Sequence, residues 1–209
     1  MSAFGMDGFG EIGSVAVDVY TSAYRVSGSV RTRFTRVAEI LNQLTAEHLP
    51  IERATISEYD DPSGTLAAPS ALVALSEILI MVAPELAGDA SSEMRIQKRA
   101  VRAQLVLPPL RLTGAIHVPM GGRPVDGLLN VTDRFLPMTD VTVTSAAHPE
   151  LDRSAAAVAL QRRLAHVLLV ADDERPDELL ADVLDEKTAE SWLRGAEEPR
   201  VRDPGREPG

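Results

Sequence analysis

The chain has 209 residues, 44% hydrophobic and 25% charged, with no cysteine and a formal net charge of −10. This composition suits a globular protein of one large or two small domains, and the missing cysteines exclude disulfides, thiolate metal sites and cysteine nucleophiles and fit a cytoplasmic setting. The charge is uneven, with 13 acidic against 6 basic residues from Asp172 onward; a nearly neutral body argues against general nucleic-acid binding, which rests mainly on phosphate neutralisation.

Residues 1–13 read as a flexible Gly-rich leader, with no basic residue and no continuous apolar run, so no secretory signal is expected. Gly8–Gly13 formally matches GxGxxG, but a dinucleotide site needs a strand before the glycines and a helix after them. Here a strand follows instead. Ser14–Tyr20 places Val15, Val17 and Val19 on one face. Tyr24–Phe34 alternates Tyr24, Val26, Val30 and Phe34 with Arg25, Ser27, Ser29, Arg31 and Arg33. Period-two alternation predicts half-buried strands. Gly28 falls on the apolar face, where a missing side chain predicts a bend, a bulge or close packing.

A short helix is predicted at Val37–Leu44, then strands at Glu52–Glu58, Ala71–Leu75 and Ile78–Val82. The apolar stretch Ala71–Ala83 is broken by Ser76 and Glu77 and falls short of the ~20 residues that span a bilayer, so no membrane insertion is expected. The same order then returns. Ala100–Val106 and Leu110–Met120 match the first two strands at a separation of 86, with Gly114 on Gly28. Leu136-Pro137-Met138 matches Leu49-Pro50-Ile51 at 87, Val158-Ala159-Leu160 matches Val73-Ala74-Leu75 at 85, and Val170-Ala171 matches Val82-Ala83 at 88. The second set is a helix at Pro124–Asn130 and strands at Thr139–Ser145, Ala157–Leu160 and Leu164–Val170.

The expected fold is α+β and mostly β: a tandem duplication of a small β-β-α-β-β-β module, barrel-like or a curled sheet, plus a C-terminal amphipathic helix. The expected boundaries are a leader at 1–13, modules at 14–88 and 94–172, an acidic helix at 174–195 and a disordered tail at 196–209. Ile78–Val82 and Leu164–Val170 are apolar on both faces and need cover on both, from the other module or from a second chain. In the tail, Leu179, Leu180, Val183 and Leu184 form an apolar stripe that Trp192 and Leu193 extend.

Candidate sites are few. His48, His117, His148 and His166 show no metal-ligand spacing, and His166, within an apolar run, reads as a core histidine. No GxSxG or paired-carboxylate pattern marks an enzyme. Arg36, Glu39 and Leu41-Asn42 correspond to Arg123, Asp126 and Leu129-Asn130. One reading is helix chemistry, the acid at the start and Asn at the end. The other is a ligand or anion site at Gly121, Gly122, Arg123 and Asp126, with arginine and backbone amides as donors. Arg25, Arg31, Arg33 and Arg36 form either a solvated basic stripe or a docking surface for an acidic partner. Leu180, Val183, Leu184 and Trp192 are the tail's candidate docking residues.

Gly114–Asn130 (GAIHVPMGGRPVDGLLN) resembles a bacterial domain family in which a strand ending in Val-Pro leads through Gly-Arg and an acid to Leu-Asn. The resemblance covers mainly residues 100–170 and implies no activity. The expected function is a non-catalytic, cytoplasmic assembly or adaptor protein without metal or cofactor. Its partner would be another protein or a further copy, as a homo-oligomer or through pairing of the two modules. The alternative is a small-ligand or anion sensor using the Gly121–Asp126 turn.

Overall fold

The computed structural model describes residues 12–61, 63–86, 98–119, 124–129 and 131–170, all belonging to one compact unit. The strands are β1 (Gly13–Tyr20), β2 (Tyr24–Thr32), β3 (His48–Glu58), β4 (Leu66–Ala74), β5 (Ile80–Val82), β6 (Lys98–Leu107), β7 (Leu110–Pro119), β8 (Phe135–Thr144), β9 (Arg153–Gln161) and β10 (Val167–Val170). Helix α1 (Val37–Asn42) lies between β2 and β3, and α2 (Pro124–Leu129) between β7 and β8. All ten strands join one antiparallel sheet in the order β10-β6-β7-β8-β9-β5-β1-β2-β3-β4.

That order corrects the expected architecture. In place of two repeated barrel-like or curled modules stands one open ten-stranded sheet, with two short α-helices among the described residues. The cause is β5. It pairs with β1 on one edge and with β9 on the other, through Ile80↔Leu160, Met81↔Ala159 and Val82↔Val158, so backbone hydrogen bonding runs unbroken across the middle. The predicted helix at 174–195 lies outside the described residues.

The two apolar faces of β5 also find their cover within the chain. Successive strand residues point to opposite faces. Met81 enters a first core with Val17, Val19, Leu41, Ile51, Phe135 and Ala159, whereas Ile80 and Val82 enter a second with Tyr20, Leu105, Met138, Val158 and Leu160. Each core therefore takes residues from both halves of the chain. Two side chains lock this joint. Asn42, at the end of α1, donates to the Phe135 carbonyl at 2.8 Å and accepts from the Phe135 amide at 2.9 Å. Gln161 donates to the carbonyls of Leu75 and Ser76 at 2.8 and 3.2 Å. α1 ends at Asn42, as its sequence position suggested, but the following cap residue Gln43 keeps right-handed backbone, and the Asn42 side chain serves the joint.

The glycine expectation is met by two bulges. Between Ser27 and Ser29 the register slips, so that Gly28 faces two residues of β3, one of which, Arg53, has φ of 50°. Gly114 faces β8 in the same way, next to Asp140 at φ 52°. Extra residues of this kind bend a strand and strengthen its twist. Several strands also run longer than the alternation indicated. The strand expected at Ala71 already begins at Leu66, and β3 begins at His48 rather than Glu52.

Candidate interaction edges

Among the described residues the open sheet has two edges, β4 and β10. Each carries a large apolar residue in solvent: Leu72 on β4 is 71% exposed and Leu168 on β10 is 36% exposed. Leu66, near the start of β4, is exposed as well. Unpaired edges with apolar side chains invite pairing with another chain, and monomeric proteins commonly blunt them with charge, proline or a covering loop. Pro69 lies within β4 and suits an edge, because proline has no amide proton to give to a ladder. On α2, Val125 is 48% exposed, whereas the corresponding residue of α1, Ala38, is 6% exposed where that helix packs on β8 and β9.

Of the four arginines of the expected basic stripe, Arg25 and Arg31 lie at alternating positions of β2, Arg33 follows just beyond its end, and Arg36 stands at the start of α1. Arg25 is drawn into an ion pair with Asp18 at 3.0 Å. Arg31 and Arg33 are exposed and line one shallow groove with Ile12, Phe34, Ile40 and Leu44. Arg33 lies over the Phe34 ring, 5.3 Å from its centre, and Arg36 precedes α1, 3.5 Å from Glu39. Asp126 is exposed in the first turn of α2. Gly121, Gly122 and Arg123 lie outside the described residues, as do Leu180, Val183, Leu184 and Trp192.

The polar cluster that sequence reasoning missed is centred on Asp18. Its carboxylate accepts from Ser27 at 2.6 Å, from Arg25 at 3.0 Å and from Arg153 on β9 at 2.8 Å. Arg153 also donates to the Tyr20 hydroxyl. Burial by itself raises the Asp18 pKa, but the hydrogen bonds from Ser27, Arg153 and Arg25 and the Arg25 charge together hold it below its ordinary value of 3.8. A carboxylate depressed in the folded state contributes stability above its unfolded-state pKa, and this is lost as pH falls through the folded value. Asp18→Asn is accordingly expected to cost roughly 1–3 kcal/mol at neutral pH by urea unfolding. The gap from wild type should close as pH drops below about 4. A gap that stays constant down to acid pH would show that the charge contributes nothing.

The histidines occupy scattered positions. His166 is exposed, which overturns its reading as a core residue; the apolar run before it bends away at the turn of 3₁₀ helix at Arg162–Leu164. His117 sits 2.9 Å from the Thr139 hydroxyl, its pKa pushed below the ordinary value by burial and by Lys98. Among the described residues no three His, Asp or Glu side chains are placed to hold a metal ion, and no helix is long and apolar enough to cross a membrane. Comparison with protein-family models, curated proteins and solved structures gave no match, so the fold and the edges stand on their own chemistry.

Proposed function

We propose that this chain is a non-catalytic, cytoplasmic assembly protein that works through protein–protein contacts along its sheet edges, with further copies of itself as partners. The observation that carries the reading is the pair of edges, unpaired among the described residues and each presenting an exposed leucine, at the two ends of one continuous antiparallel sheet. Edge pairing supplies main-chain hydrogen bonds for affinity and alternate side chains for selectivity. The acidic composition from Asp172 onward supports solubility of an assembling chain through self-repulsion.

The test combines light-scattering mass with hydrogen exchange on the full chain over a range of concentrations. Mass that grows with concentration, together with slowing exchange at β4 or β10 amides, is the expected result. A constant monomer mass with fast edge exchange throughout would overturn the reading.

A further inference from the structure

The joint between the halves of the sheet supplies a template for what the two free edges do. The sheet order reads β10-β6-β7-β8-β9 and then β5-β1-β2-β3-β4, so the strands follow one another in the same pattern on either side of the β9–β5 contact. In that pattern β10 occupies the place of β5, and β4 the place of β9. The strand that β5 meets inside the chain is thus the counterpart of the edge left open at the far end.

The registers fix the correspondence residue by residue. Met81 of β5 pairs with Val19, and Leu168 of β10 pairs with Leu105. Val19 and Leu105 are matched positions in the sequence, so Leu168 stands where Met81 does. Val73 of β4 pairs with Leu49, and Leu160 of β9 pairs with Leu136. Leu49 and Leu136 are likewise matched, so Val73 stands where Leu160 does and Leu72 where Ala159 does. Within the chain Met81 pairs with Ala159. Repeating that pair between copies sets Leu168 directly opposite Leu72.

We infer that the β10 edge of one copy pairs antiparallel with the β4 edge of the next, Leu168 against Leu72, in a head-to-tail joint that reproduces the internal β9–β5 contact. This inference rests on the assembly reading above and specifies its partner and register. Leu72, largely exposed, and Leu168, about one-third exposed, become cross-strand neighbours on one face, as Met81 and Ala159 are in the first core. The exposed Val125 of α2 fits the same arrangement, because its counterpart Ala38 belongs to the helix that packs across the internal joint. An interface joining two different patches is heterologous, so it propagates into a ring if the rotation closes and into a filament if it does not.

Leu72→Lys closes the β4 edge and Leu168→Lys closes the β10 edge, each with a charge at the centre of the joint. Both positions are exposed, so the fold tolerates them; circular dichroism and melting temperature verify this, and Leu72→Gln with Leu168→Gln serves as a second pair. Each single variant is expected to be monomeric where the wild type is assembled, its dissociation constant raised about thirtyfold or more, as for a central interface residue. An equimolar mixture of the two lysine variants retains one good β10 and one good β4, so it forms a 1:1 dimer and stops there. If either variant assembles like the wild type, or the mixture remains monomeric, the head-to-tail joint is wrong. An assembly untouched by both variants overturns this joint while the assembly reading stands. A wild type that is monomeric with freely exchanging edges overturns both.

Discussion

Replacing Gly28 with alanine is expected to destabilise the fold by roughly 2–3 kcal/mol, an overpacking cost with little room for relief. A Cβ at this position would lie 2.5 Å from the Ile51 Cγ2 and 2.7 Å from the Glu52 carbonyl oxygen. The Ile51 side chain is fully buried, and the carbonyl belongs to the bulge whose shape depends on Arg53 in left-handed backbone. Neither neighbour can yield without opening the β2–β3 ladder. Gly114→Ala should behave alike, since its Cβ would meet the Thr139 carbonyl oxygen at 2.7 Å. Gly13→Ala is the control, as the nearest atom to its Cβ is 4.0 Å away. For a domain of this size the first two substitutions should lower the melting temperature by roughly 5–10 °C and the third hardly at all. A Gly28→Ala chain that melts with the wild type would mean that the bulge opens to admit a methyl group.

Truncation of β5 should have the other large effect. Ile80 and Met81 are both completely buried, and large-to-small changes at such sites cost about 2–5 kcal/mol. Ile80→Ala empties space in the second core and Met81→Ala in the first. Because the two residues are adjacent on one three-residue strand hydrogen-bonded on both edges, either loss should weaken both cores together. Urea unfolding followed by hydrogen exchange at residues of each core should give one midpoint, shifted equally in both. Two separate midpoints in either variant would show that the cores are independently stable and that β5 does not couple them.

Much of the local structure was legible in the residues, because it depends on neighbours close in sequence. Alternation of Val15, Val17 and Val19 against polar residues marked β1, and Pro124 near the Gly121-Gly122 pair marked the start of α2. The glycines on the apolar faces of β2 and β7 marked the bulges. Pairing across the middle was not legible. Nothing near Ile80 states that its partner is Leu160, since an apolar strand is satisfied by any apolar neighbour. The sequence matches also placed Val73 against Val158, two residues from the correspondence the registers impose, because short runs of Val, Ala and Leu align equally well at several offsets. The Asp18 cluster was hidden for a related reason. Arg153 is 135 residues away in the chain, and only the sheet order brings it to β1.

The placement of β5 also bears on how the protein is made. Ile80–Val82 leave the ribosome well before the strand that pairs with their outer edge. At roughly 5–20 residues per second, about 4–16 s separate the synthesis of Val82 from that of Leu160. During that interval the first core lacks Phe135 and Ala159, and β5 presents an unpaired apolar edge to neighbouring nascent chains. Slow translation between residues 83 and 160 should therefore increase aggregation during expression, whereas the finished chain carries the remedy in β9.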